Sequence, residues 1–169
     1  MKSLFLSVFL AFATTVAAQD TVIHSNGFQL AYHPYDFFLG AHFSGEKNRK
    51  EHLAFFQVGM TRTFFQQRIY PQLGYQFGYH LLDRQWLRAG VLVRPVMSFL
   101  NFNRNSKHGA SFYEEAFLGG FVGLGTRSRF RLSAGFGPCI EQKWSEPRSG
   151  FVSWFSWNYF GELSWSYAI

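Results

Sequence analysis

The sequence predicts an all-β protein: an eight-stranded antiparallel up-and-down transmembrane β-barrel preceded by a cleaved signal peptide. Three observations predict it. The chain opens on an export signal, apolar residues then recur at every second position, and turn-like segments cut that alternation into eight runs. Successive side chains of a strand point to opposite faces, so each run has one greasy face and one small, polar face. A membrane barrel needs that division along its whole length, because alternate residues meet hydrocarbon and lumen.

The signal comes first. Met1-Lys2 is a short positive region, residues 4–13 are apolar apart from Ser7, and Val16 and Ala18 take the −3 and −1 positions of a cleavage site before Gln19-Asp20. The apolar run falls short of the ~20 residues a spanning helix needs, which makes it a secretory signal. Residues 1–18 are therefore the signal peptide and residues 19–169 one barrel domain. No cysteine follows the cleavage site to carry a lipid. No later run is continuously apolar, although aromatics reach 21% and glycine numbers 16. The net charge of +6 has no clustered basic arm, which argues against nucleic acid; in an exported protein it points to anionic lipid head groups or to ordinary interior and loop charges. Cys139 is the single cysteine, so no internal disulfide staples the fold, and its parity places it inside, opposite Phe136, Pro138 and Ile140.

The runs follow in order. Residues 21–32 form the first, ended by His33-Pro34-Tyr35. Phe37, Leu39, Ala41 and Phe43 alternate with Asp36, Gly40, His42 and Ser44, up to a charged break at 45–51. Residues 54–60 keep period two with Phe55 on the polar side, before a break at 65–68. Leu73, Tyr75, Phe77, Tyr79 and Leu81 alternate with Gln72, Gly74, Gln76, Gly78 and His80, up to 82–85. Leu87 to Phe99 carries Arg88, Gly90, Arg94 and Ser98 on its polar parity, up to 101–110. In 116–124, Phe117 and Phe121 oppose Leu118, Val122 and Leu124, which reads as a strand with bulky interior aromatics beside glycines; a bulge that shifts the parity is the alternative. After 127–129, Phe130, Leu132, Ala134 and Phe136 alternate with Arg131, Ser133, Gly135 and Gly137, up to 143–150. In the last run Phe155, Trp157, Tyr159, Leu163, Trp165 and Tyr167 oppose Ser156, Asn158, Glu162, Ser164 and Ser166. Proline donates nothing to a ladder, so Pro71 and Pro95 are expected at a rim or bulge. Seven breaks make eight strands, and counting back from a periplasmic C-terminus sends 101–110 and 143–150 outward. The exception is 45–51, long and charged yet at the periplasmic end; were Pro34 no break, the count would fall to seven.

A barrel of this size holds only its own side chains or one small ligand. Arg88, Arg94 and Arg131 fall on the inward parity with Glu141 and Glu162, Asp36 and Glu115 lie nearer the ends, and Gln29, Gln57, Gln72, Gln76, His42, His80 and Asn158 fill in. Buried charge must be paired, which predicts a closed polar network with Arg131, Glu141 and Glu162 at its core and no open pore.

Signals for chemistry are weak. His24-Ser25-Asn26 resembles in part the His-x-Ser-Asn element of outer-membrane lipid A deacylases, but adjacent residues point to opposite faces, so no catalytic site and no enzyme is expected. The six histidines lack metal-ligand spacing, and the glycines at 119–125 lack a P-loop lysine, so no metal or cofactor is expected. The polar, basic loop 101–110 is a candidate for contact with lipopolysaccharide phosphates or a protein, although a merely solvated loop accounts for it better.

The signal, the repeated ladders and the aromatic last strand together resemble the small outer-membrane barrels of Gram-negative bacteria, the class of the OmpA transmembrane domain and OmpX-like proteins. The chain departs from the class by ending in Ile169 rather than a terminal Phe or Trp, while Trp165 and Tyr167 keep the alternating aromatics that barrel-assembly machinery reads. The resemblance is architectural and implies location and fold, an integral outer-membrane barrel, but not activity. The expected role is structural or surface-interacting, as a monomer in contact with lipid and lipopolysaccharide. The alternatives are a lipid-modifying barrel enzyme and a soluble lipocalin-like barrel.

Overall fold

The computed structural model describes residues 23–34, 36–61, 69–100, 111–145 and 150–169; residues 1–22, where the signal peptide is expected, and residues 35, 62–68, 101–110 and 146–149 lie outside the described residues. Eight strands follow in chain order: β1 (Ile23–His33), β2 (Asp36–Lys47), β3 (Lys50–Thr61), β4 (Ile69–Asp83), β5 (Leu87–Leu100), β6 (Ser111–Gly125), β7 (Ser128–Ser145) and β8 (Gly150–Ala168). Each pairs antiparallel with the next, and β1 closes the cylinder on β8, with Leu30 opposite Leu163. Pro34 does separate two strands, which settles the count at eight.

The segment 45–51 is not a long loop. β2 and β3 run on to Lys47 and Lys50, joined by Asn48 and Arg49 alone, with φ of 48° and 65°. Two consecutive positive φ values are what a two-residue hairpin needs for its twist to match the strands. The charges that suggested a loop belong to strand, and the anomalous long periplasmic connection disappears. Two more connections are short at that end, at 84–86 and 126–127, where the start of β1 and the end of β8 also meet through the Ile169 N–H and the His24 carbonyl.

Pro71 lies at the third residue of β4, near a rim, as expected. Pro95 does not: it sits in mid-β5 without a bulge. The ladder to β4 keeps its register on both sides, Gly74 with Val96 and Phe77 with Val93, and loses only the pairs between, because proline has no N–H to offer. The bulge in that pair lies lower, between His80 and Leu82, and leaves Leu81 and Leu82 both outside. The β6 register runs unbroken, so Phe117 and Phe121 are interior by simple alternation and not by a shifted parity.

The apolar faces point outward. Leu30, Leu39, Val93, Leu118, Leu132 and Leu163 form an exposed aliphatic belt, with Phe155, Trp157 and Tyr159 towards one end and Phe28, Phe43, Phe130 and Tyr167 towards the other. Tyr75 keeps the outward parity but is covered, its hydroxyl bonded to His52 Nδ1.

Inside, large rings lean on glycines of neighbouring strands. A Cβ on Gly74 would lie 1.9 Å from the Phe55 ring, one on Gly59 2.4 Å from the Phe38 ring, and one on Gly135 2.6 Å from the Phe160 ring. Glycine is thus required by close approach, which lets a narrow cylinder hold Phe38, Phe55 and Phe160 at once. Gly74→Ala is expected to cost about 1–3 kcal/mol of stability by overpacking. Gly161→Ala, where an added methyl meets nothing within 4 Å, is the matched control. Urea unfolding in detergent micelles checks both; equal effects would contradict the ring-on-glycine account.

Candidate functional site

The lumen is filled in layers. At the end with the short turns Glu46 collects two arginines and a histidine: Arg88 bonds it directly, Arg129 Nη1 donates to it at 2.7 Å, and His80 Nε2 stands 3.6 Å away. Arg88 also reaches Asp83 at 3.1 Å. One layer up, Arg131 donates to Glu51 and stacks 3.8 Å above the centroid of Phe121. At the centre Arg94, 0% exposed, donates from Nη1 to Glu162 Oε2 at 2.5 Å. Its guanidinium lies between two rings, 4.1 Å from the Phe55 centroid and 4.5 Å from Phe160. Leu53, Leu92, Val96, Phe117 and Phe121 pack with these rings into one apolar cluster. A row of amides runs along the inner wall from β1 to β5: Gln29 donates to Gln57 at 2.9 Å, Gln57 to Gln72, and Gln72 to Ser98 Oγ at 2.8 Å. Gly40 lies between the first two, where a Cβ would fall 2.4 Å from that of Gln57.

Each cation therefore has a named anion, but not the one read from the sequence. Arg131, Glu141 and Glu162 do not form a common cluster. Arg131 turns to Glu51 on β3, Glu162 to Arg94 on β5, and Glu141 lies at the other end, accepting from the Tyr113 hydroxyl at 3.0 Å. Glu46 and Glu51, which anchor the lower half, escaped notice because they were assigned to a loop. The signal was present: Glu46 continues the inward parity of His42 and Ser44, and Glu51 that of Leu53, Phe55 and Gln57.

Above the amide row the interior changes character. A cavity of about 600 Å³ lies at the end opposite the short turns, lined among others by His33, Asp36, Phe38, Tyr70, Tyr113 and Glu115. Tyr70 donates to Asp36 Oδ2 at 2.6 Å. Asn158 donates to Glu115 Oε1 at 2.5 Å, and His33 Nδ1 faces Glu115 Oε2 at 3.6 Å. Cys139 is buried in the same wall. At the other end, His24 points outward and Ser25 inward, where it meets Ser44 Oγ at 2.6 Å; the two belong to opposite faces. Among the described residues no group of three or more His, Cys, Asp or Glu side chains could hold a metal ion. The loop 101–110 lies outside the described residues.

The barrel is similar to solved structures. The N-terminal β-barrel domain of Pseudomonas aeruginosa OprF matches with a TM-score of 0.54 at 12% identity, over 88% of this chain and 100% of that one. Neisserial surface protein A matches at 0.48 with 11% identity over 88% and 96%, and the outer membrane protein AlkL, solved in lipid bilayers, at 0.49 with 13% over 90% and 94%. No family model and no curated protein matches the chain. At 12% identity the OprF likeness is one of fold: the closed small-barrel architecture that the sequence implied.

The two glutamates separate the layered arrangement from the sequence expectation. Glu162→Gln leaves Arg94 buried and uncompensated and is expected to cost about 3–5 kcal/mol. Glu141→Gln loses one neutral-donor bond, worth about 1 kcal/mol. Urea unfolding of the two variants should rank them in that order; the reverse order would favour the cluster read from sequence.

Proposed function

We propose that the chain is an integral outer-membrane protein of a Gram-negative bacterium, a monomeric barrel sealed along its axis that acts as a structural or surface-interaction element rather than as a pore or an enzyme. The observation that carries this reading is the inversion of the molecule: an aliphatic belt with aromatic ends faces outward, while Arg94, Arg131, Glu51 and Glu162 are enclosed. Large contiguous apolar surface is untenable in water, and an outward belt with aromatic girdles suits a bilayer. A lipocalin-like ligand carrier would need its apolar side chains inward. The sealing is supported by the Arg94–Glu162 pair, fully buried in the lumen with the guanidinium held between the Phe55 and Phe160 rings. Lipid and lipopolysaccharide are then the surrounding solvent, and assembly machinery the partner during insertion.

Carbonate extraction of isolated envelopes tests the location. The protein should stay with the membrane pellet and show gel mobility that changes on boiling; release into the supernatant would contradict the proposal. Liposomes carrying the purified barrel should swell in arabinose no faster than empty ones, and brisk swelling would contradict the seal.

A further inference from the structure

We propose that the outer cavity is a binding site for a small organic cation, a protonated primary amine on an aromatic or alkyl body. This inference goes beyond the sealed-barrel reading and needs only the folded chain, not its location or its lack of conductance.

Four observations carry it. The cavity, at about 600 Å³, falls within the size range of small-molecule sites. Among the described lining residues the carboxylates are Asp36 and Glu115, and none is Lys or Arg. The arginines of the interior are spent lower down, on Glu46, Glu51 and Glu162. Carboxylates set between low-dielectric walls focus a negative potential into such a cleft. The acceptors are also incompletely used. Asp36 Oδ2 takes the Tyr70 proton, while the buried Oδ1 has no partner among the described residues. His33 is only 3% exposed, lines the cavity, and its Nε2 likewise has no partner. A buried acceptor left unmet is costly, and an ammonium group brings three donors.

Finally, the remaining lining suits an organic body. Phe38 and Tyr70 meet edge to face with centroids 5.4 Å apart, and Tyr113 packs against that pair. Aromatic faces attract organic cations as well as apolar groups. An anion is repelled by the same carboxylates. A bare metal ion lacks a donor set, since no three metal-ligating side chains converge among the described residues. The oxygens available are few and directional, which fits N–H donors better than a coordination sphere.

The test is calorimetric titration of the full folded chain in a zwitterionic detergent with three probes of similar shape: phenethylamine at pH 7, 2-phenylethanol and 3-phenylpropionate. The expected result is saturable one-to-one binding of the amine alone, weakened by salt and not displaced by millimolar MgCl2. Asp36→Asn should weaken it at least tenfold with an unchanged unfolding midpoint. Equal heats from the alcohol or the carboxylate, absence of saturable binding, displacement by Mg2+, or wild-type affinity in a folded Asp36→Asn variant would each overturn the proposal. The probe series on the wild-type chain decides the matter even where the variant does not fold.

Discussion

The structure depends on one buried cation. Arg94 has no contact with solvent, and its charge is held by Glu162 on one side and by the faces of Phe55 and Phe160 on the others. An unpaired charge there would be strongly destabilising, so the surrounding strands must bring a carboxylate and two rings to one height. Much else follows from that demand. Phe55 needs Gly74 beside it and Phe160 needs Gly135, so the glycine pattern of β4 and β7 is set by what the lumen has to hold. The rings pack with Leu53, Leu92 and Val96 inside, while the aliphatic belt lies on the outer face.

Much of the fold was legible because period two is a local property. The parity of β8 alone, with Trp157, Leu163 and Trp165 against Asn158, Glu162 and Ser164, sorts outside from inside. Phe55, Phe117 and Phe121, which break the greasy-out rule, were still placed correctly, since alternation does not depend on residue type. The turn at Asn48-Arg49 was missed for a specific reason. Glu46, Lys47, Lys50 and Glu51 together look like a solvated loop, yet half of them are inward-facing and the turn needs only two residues able to take positive φ. Pro95 was likewise misjudged, because a strand in a closed barrel can forgo two pairs when the register on either side is secure.

The pairing inside was not legible. Arg131 and Glu51 are 80 positions apart, and Arg94 and Glu162 are 68 apart. Alternation says which side chains enter the lumen but not their height, which depends on strand register and on the tilt of the whole cylinder. Arg131, Glu141 and Glu162 share two neighbouring strands, yet they sit at three levels. The same vertical ordering divides the interior into a lower part rich in paired arginine and an upper part with carboxylates, histidine and aromatic rings. A seal needs the first and has no use for the second, which is why the upper cavity stands out as a place for a ligand.

A double-mutant cycle on Arg94 and Glu162, each replaced by Leu, addresses the central ion pair most directly. Urea unfolding in micelles would be measured for the wild type, both single variants and the double. The account predicts that each single variant loses several kcal/mol while the double recovers much of it, a coupling on the order of 3 kcal/mol, because the cost lies in orphaning a buried charge. Additive losses would contradict it: Arg94 and Glu162 would then act independently, and the barrel's centre would rest on something other than their contact.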